Sequence, residues 1–331
     1  MKRILTGLKP TGELTIGNYI GAIEPLLKLQ EDENNEILLF VADLHALTVF
    51  QDPITLNERI RKFVSMYIAC GIDPEKTIIY IQSQNEYIPL ISWILECNTY
   101  YGEASRMIQF KEKSKENKNF TVGLLTYPIL MAADILYCDA EYVPVGIDQK
   151  QHVELARDIA ERFNKRYGET FKLPEPLIKK ESIKIKDLKN PTKKMSKSEE
   201  NPAGVISLFD EPKAIEKKIM SATTDSDNLV YYDEVNKPGI SNLLNIASVM
   251  SGRTVSEIEK EYREKGYGNF KKYCATVTIE KIQIIQKKYN ELVNSKELDQ
   301  ILQKGIEKSR TIAYEKSEQI KKLVGLYWQY P

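Results

Sequence analysis

The chain has 331 residues, enough for one large core plus a smaller one. Lysine plus arginine equals aspartate plus glutamate at 47 each, so the overall charge favours no nucleic-acid partner and any such signal must be local. The four cysteines, Cys70, Cys97, Cys138 and Cys274, are scattered beside only two histidines, His45 and His152, which offers no obvious zinc site and fits reduced thiols in a cytoplasmic protein.

From the N-terminus, residues 2–6 form a short apolar run that meets Gly7 and Pro10 too early for a signal peptide. With 36–42 (EILLFVA) and 77–83 (TIIYIQS) it reads as a strand. Between these runs, Tyr19, Ile20, Ile23, Leu26 and Leu27 make one helical stripe, and Leu56, Ile60, Phe63, Val64, Tyr67 and Ile68 make another. Thr55 and Glu58 have capping-box spacing at the start of the second helix, and Gly71 stands where a left-handed residue would close it. Alternating strands and helices predict an α/β fold with a parallel, doubly wound sheet, whose ligand site lies at the carboxyl ends of the strands. A fourth strand at 142–145 turns through Gly146 into a helix over 148–167 that stops at Gly168. From 173 to 201 the chain is rich in proline and lysine, with Lys179, Lys180, Lys184, Lys186, Lys189, Lys193, Lys194 and Lys197, and reads as a linker or mobile basic loop. Beyond Leu208 the pattern is helical (DEPKAIEKKIMSA, NLLNIASVMSG, and a charged stretch from 277 to 324), so a second, α-helical domain is expected. No apolar run approaches the roughly 20 residues that a membrane helix needs.

Two segments carry chemistry. Lys193-Lys194-Met195-Ser196-Lys197-Ser198 follows a proline and precedes Asn201-Pro202, hence lies in a loop. Thr15-Ile16-Gly17-Asn18 comes just after the first strand and opens the first helix, where glycine permits close backbone approach and free N–H groups offer a positive dipole end to a phosphate. Together they resemble the two signature sequences of class I aminoacyl-tRNA synthetases. The dinucleotide fingerprint G-x-G-x-x-G is absent at this turn, which argues against a dehydrogenase. Attack of an amino-acid carboxylate on the α-phosphorus of ATP builds negative charge on the departing pyrophosphate, which fixed cations and Mg²⁺ stabilise. Lys194 and Lys197 are the candidates for that task. Ser196 and Ser198 can donate hydrogen bonds from a loop that closes over the phosphates, and Thr15 and Asn18 complete the catalytic set.

The replacement of the general His-x-Gly-His pattern by Thr15-Ile16-Gly17-Asn18 resembles the tryptophanyl-tRNA synthetase family. So do GNYIGA from Gly17, ADLHALTVFQDP from Ala42, GIDP from Gly71, MIQFKEKS from Met107, GLLTYPILMAADIL from Gly123, VPVGIDQKQHVELARDIAERFNKRYG from Val143, PTKKMSKS from Pro191 and KPGISNLLNI from Lys237, which cover most of the chain in order. The resemblance implies L-tryptophan and ATP as substrates, and it must make sense at each position. Indole offers one N–H donor and no acceptor, so its pocket needs a buried acceptor in an apolar slot. Asp134 matches the residue that receives this hydrogen bond. Met131 and Ile135, its helical neighbours, resemble one wall of the pocket, and Val143 and Val145, on one face of a strand, resemble the opposite wall. Tyr127, Gln149 and His45 match the rim that holds the ammonium and carboxylate. For ATP, the resemblance points to Lys9, Pro10 and Thr11 as a phosphate-binding turn beside Gly17 and Asn18, to Gly146, Ile147 and Asp148 at the ribose, and to the backbone of Ile185 at the adenine. It adds Lys194, Met195, Ser196, Lys197 and Ser198 at the phosphates, and Lys111 and Lys113 for phosphates or tRNA.

The same resemblance divides the chain into a Rossmann-like catalytic domain over 1–190, a mobile loop over 191–202, a helical anticodon-binding domain over 203–290 and a C-terminal helix over 291–331 that packs back on the catalytic domain. Lysine clusters at 179–197 and 213–218 would face the tRNA phosphates. A symmetric homodimer is expected through the inserted segment at 84–125, where Trp93, Ile94, Tyr100 and Tyr101 supply apolar surface. Two positions depart from the common family pattern: Lys9 stands where many bacterial members carry glutamine, and Ile147 where glutamate is frequent. The closely spaced cysteines that hold an iron–sulfur cluster in some members are missing, so no zinc or iron–sulfur site is expected. The rival readings are a tyrosyl-tRNA synthetase and a non-catalytic tRNA-binding paralogue.

Overall fold

A computed structural model of the chain describes residues 1–10, 12–116, 119–178, 183–195 and 202–327. Strands β1 (Lys2–Leu8), β2 (Asn35–Val41), β3 (Thr77–Ile81), β4 (Tyr142–Pro144) and β5 (Glu175–Leu177) form one parallel sheet in the order β3-β2-β1-β4-β5. The period of two along each strand decides its faces. Ile4, Ile37, Leu39, Val41 and Ile79 point to one core, and Leu5, Leu38, Phe40 and Tyr80 point to another. Both faces are covered, which is why these strands read as near-continuous apolar runs.

The three N-terminal strands lie where their apolar runs predict. Glu175–Leu177 differs, because the sequence reads that stretch as a linker. It is an edge strand of three residues beside β4, and an edge tolerates Pro176, which has no N–H for a ladder. The second helix also starts differently. Its N-cap is Asp52, whose side chain accepts from Thr55 N–H at 2.9 Å, and Pro53 occupies the first turn, so Thr55 and Glu58 are not a capping box. Cys70 ends that helix and Gly71 follows at φ +120°.

The first helix runs through Ile16–Asn18, Tyr19–Ile23 and Glu24–Gln30. In its middle Glu24 N–H donates to Tyr19 O, five residues back. The widened turn sits directly before Pro25, which has no N–H to donate and whose ring would crowd a tighter turn. Its buried stripe and that of Pro53–Ala69 cover one face of the sheet. Val122–Leu136 and Lys150–Tyr167 cover the other.

After Leu208 the described chain is helical: Pro212–Met220, Pro238–Ser251, Val255–Tyr262, Gly266–Leu292 and Lys296–Leu323. The first four of these share their core with the first face of the sheet. The last returns to the opposite core through Ile306, Ala313 and Ile320 and covers the edge strand β3. Gly305 is what lets it approach, since a Cβ there would lie 1.8 Å from Ile79 O.

Candidate functional site

The strand order reverses at β1, with β2 on one side and β4 on the other. Beyond the carboxyl ends of these strands lies a cavity of about 460 Å³, at the place where doubly wound sheets bind ligands. Its apolar walls are Leu5, Phe40, Met131, Ile135, Val143 and Val145. Gly7 leaves room for this floor, because a Cβ there would stand 2.5 Å from Phe40 Cζ. Phe40 in turn stacks on Tyr80 with ring centroids 5.9 Å apart.

The helix Val122–Leu136 contributes Tyr127, Met131 and Asp134, spaced i, i+4 and i+7 and so aligned on one face. Asp134 is fully buried at the base of the cavity. Gln82 Nε2 lies 2.8 Å from each of its carboxylate oxygens, and His45 Nε2 lies 2.9 Å from Oδ2. Burial pushes the Asp134 carboxyl above the ordinary range, while the His45 and Gln82 hydrogen bonds pull it back. Backbone anchors hold these partners. Asp43, after β2, accepts from Ser83 N–H at 3.0 Å and ties the His45 segment to the end of β3 that carries Gln82. The rim carries Lys9, Gln109, Lys113, Tyr127 and Gln149. Desolvation at the cavity mouth, and then the charge of Lys113, lower the Lys9 pKa.

The two signature segments meet each other, outside the cavity lining. Met195 is buried against the first helix, where a Cβ on Gly17 would lie 3.6 Å from Met195 Cβ. Met195 N–H donates to Ile185 O at 2.9 Å, and Lys194 pairs with Lys186 in an antiparallel bridge. Thr15 and Asn18 cap each other, Asn18 Oδ1 accepting from Thr15 N–H at 3.0 Å. The turn's amides are therefore not all open to a phosphate as the sequence reading expects. Asn18 N–H turns back to Thr15, and Ile16 N–H donates to Ile206 O at 3.0 Å, because the segment that follows the basic loop lies antiparallel to Thr15.

His45, Tyr127, Met131, Asp134, Ile135, Val143, Val145 and Gln149 thus line one cavity together with Lys9 and Gly146. Pro10 borders a separate cleft. Ile147 is exposed, and Asp148, next to the mouth, accepts from Gln149 Nε2 at 3.2 Å. Ile185 is buried outside the cavity lining. Thr11, Ser196, Lys197 and Ser198 lie outside the described residues. Sequence reasoning missed Phe40, Gln82, Gln109 and the site neighbour His152. The available signal for Gln82 was its place directly after a strand, and for His152 its place one turn along the helix from Gln149.

The family model for class I tRNA synthetases of tryptophan and tyrosine matches residues 1–283. A tryptophan–tRNA ligase of Bacillus anthracis is 50% identical over 326 residues, covering 98% of each chain. Among solved structures, the tryptophanyl-tRNA synthetase of Campylobacter jejuni complexed with ADP and tryptophan is 37% identical, with a TM-score of 0.82 over 98% of this chain and 99% of that one. The enzyme of Mycoplasma pneumoniae is 35% identical, with a TM-score of 0.85 over 99% and 98%. With its sheet, its helices and nearly its whole length matched in this way, the chain belongs to the tryptophan–tRNA ligases, within the class I tRNA synthetases.

Proposed function

We propose that the cavity is where this ligase activates its amino acid, with the indole in the apolar slot and its N–H donated to Asp134. The observation that carries this reading is a fully buried carboxylate as the acceptor at the base of an otherwise apolar, aromatic-sized space. Tyr127, Gln149 and His45 hold the ammonium and carboxylate at the rim. The phosphates of ATP extend toward Lys9, Thr11 and the Thr15–Asn18 turn, with the ribose near Gly146 and Asp148. A carboxylate oxygen of tryptophan attacks the α-phosphorus, the bond to the β-phosphate breaks, and pyrophosphate leaves with the electron pair. Lys194 and Lys197 neutralise that charge, while Ser196 and Ser198 donate to it. A hydroxyl of the 3′-terminal adenosine of the tRNA then attacks the aminoacyl carbonyl, and AMP departs.

The amides of Ile16 and Asn18 are already occupied, so phosphate can use those two only after their present bonds open. Mg²⁺ would add positive charge at the triphosphate. Among the described residues no three histidine, cysteine or acidic groups gather to cage a metal, so the ion fits as a companion of the nucleotide, held through its phosphates. The helices over 203–290 would read the anticodon, with phosphate contacts from lysines such as Lys213, Lys217 and Lys218. Exposed Trp93, Tyr100 and Tyr101 in the 84–125 segment supply the surface for a cytoplasmic homodimer, whereas Ile94, expected with them, is buried in the core of its own chain. No described helix is long and apolar enough to cross a membrane.

ATP–pyrophosphate exchange tests the reading. Tryptophan should support exchange and tyrosine should not, and Lys197→Ala should cut the rate about 10²-fold. Exchange supported by tyrosine, or by neither amino acid, would overturn it.

A further inference from the structure

His152 has no part in the reading above, yet it is almost fully buried behind the rim, with its Nε2 at 3.0 Å from the Tyr127 hydroxyl. The same hydroxyl lies 3.1 Å from Gln109 Oε1. An amide oxygen can only accept, so the single proton of Tyr127 goes to Gln109. His152 must then offer Nε2–H. Its Nδ1, buried without a hydrogen-bond partner, keeps the lone pair. A charged ring would have to bury a second N–H at that nitrogen. Burial first, and then the neighbouring His45 and Lys113, push the His152 pKa down to about 4 against the smaller opposing pull of Asp148 and the Gln149 backbone, which lies too far off line to bond Nδ1, so one neutral tautomer persists near pH 7.

With its proton committed to Gln109 and one lone pair committed to His152, the Tyr127 hydroxyl can only accept from a ligand in the cavity it lines. We infer that His152 and Gln109 are positioning residues that hold the Tyr127 hydroxyl as an acceptor and so select ligands carrying an α-ammonium group. The inference rests on the cavity taking an α-amino acid. It gives the substrate a direction: the ammonium goes to the Tyr127 hydroxyl, which can only accept, and the carboxylate to donors elsewhere on the rim. A neutral His152 also adds no further positive charge to that of Lys113, whose Nζ already stands 5.7 Å from the centroid of the Tyr127 ring.

The test compares binding of L-tryptophan with that of indole-3-propionate, which has the same ring and carboxylate but no ammonium, to the full chain. His152→Met keeps bulk and removes the donor, while His152→Gln returns an N–H at similar reach. The wild type should prefer tryptophan. His152→Met should weaken tryptophan about tenfold and leave indole-3-propionate and the KM for ATP within about twofold, and His152→Gln should recover most of the loss. Gln109→Leu, at a partly exposed position, frees the Tyr127 proton and should weaken tryptophan selectively as well; it carries the test if His152→Met does not fold. Equal weakening of both ligands, or no change in either, would overturn the inference. A wild-type chain that binds neither ligand would instead overturn the reading of the site.

Discussion

Replacing Asp134 by alanine removes one side chain from two roles that can be separated. In the folded protein the carboxylate accepts from Gln82 at 2.8 Å and from His45 at 2.9 Å, and it has lone pairs left for an indole N–H. A hydrogen bond from indole to a carboxylate contributes about 1.5–3 kcal/mol, equivalent to roughly 10- to 100-fold in kcat/KM for tryptophan. Stability responds in both directions. Gln82 is fully buried with Oε1 already unpartnered, and orphaning its N–H as well costs about 1–3 kcal/mol. Losing a carboxyl whose ionised form burial disfavours offsets part of that cost. The diagnostic is therefore a ratio, not a melting temperature. Pyrophosphate exchange should be measured with tryptophan and with its benzothienyl analogue, in which sulfur replaces the N–H. Wild-type protein should favour tryptophan, and Asp134→Ala should bring the two substrates within about threefold of each other. Asp134→Asn should fall between, because Gln82 can turn its free Oε1 toward the new amide. If Asp134→Ala slows both substrates by the same factor, the carboxylate does not read the indole and the argument fails.

Gly7→Ala should raise the KM for tryptophan at least about tenfold while the chain stays folded, since its Cβ would meet Phe40 Cζ at 2.5 Å and tilt the ring into the slot. Steady-state exchange checks this, and an unchanged KM would refute it. Gly305→Ala should lower stability by about 3 kcal/mol in urea unfolding without altering the KM of folded enzyme, because backbone at Ile79 O, 1.8 Å from the new carbon, can yield only by lifting the helix Lys296–Leu323. His152 predicts an acid sensitivity. Its folded pKa of about 4 lies below the ordinary histidine value of about 6.5, so the folded chain binds fewer protons and the stability it contributes is complete above about pH 7 and lost as pH falls through that window. Urea unfolding of the wild type should show a loss of about 2 kcal/mol from this residue between pH 7.5 and pH 5 that His152→Gln does not share. Equal losses in the two proteins would refute it.

What the sequence determined by itself was whatever repeats locally or bears a signature. Strands β1, β2 and β3 were legible because apolar runs bounded by polar or glycine-containing segments suit only a strand covered on both faces. The stripe of Pro53–Ala69 was legible because its period faces one core. Asp134 stood out as a carboxylate among apolar helical neighbours, and its helix carries Tyr127 and Met131 on the same face. Tertiary structure alone decided the rest. β5 is a strand only because β4 lies beside it, since a three-residue segment containing Pro176 has no pattern of its own. The partners of Asp134 come from positions 45 and 82, far apart in sequence, and nothing local at Gln82 says that its amide will be buried against a carboxylate. The turn at Thr15–Asn18 reads as open, yet the Thr15 and Asn18 amides are taken within the turn and that of Ile16 by Ile206, a contact that exists only because the chain after the basic loop returns to it. His152, one turn beyond Gln149, acquires a role only through a tyrosine on another helix. Periodicity encodes which side of an element is buried, whereas the partner of a buried polar atom depends on where distant segments cross.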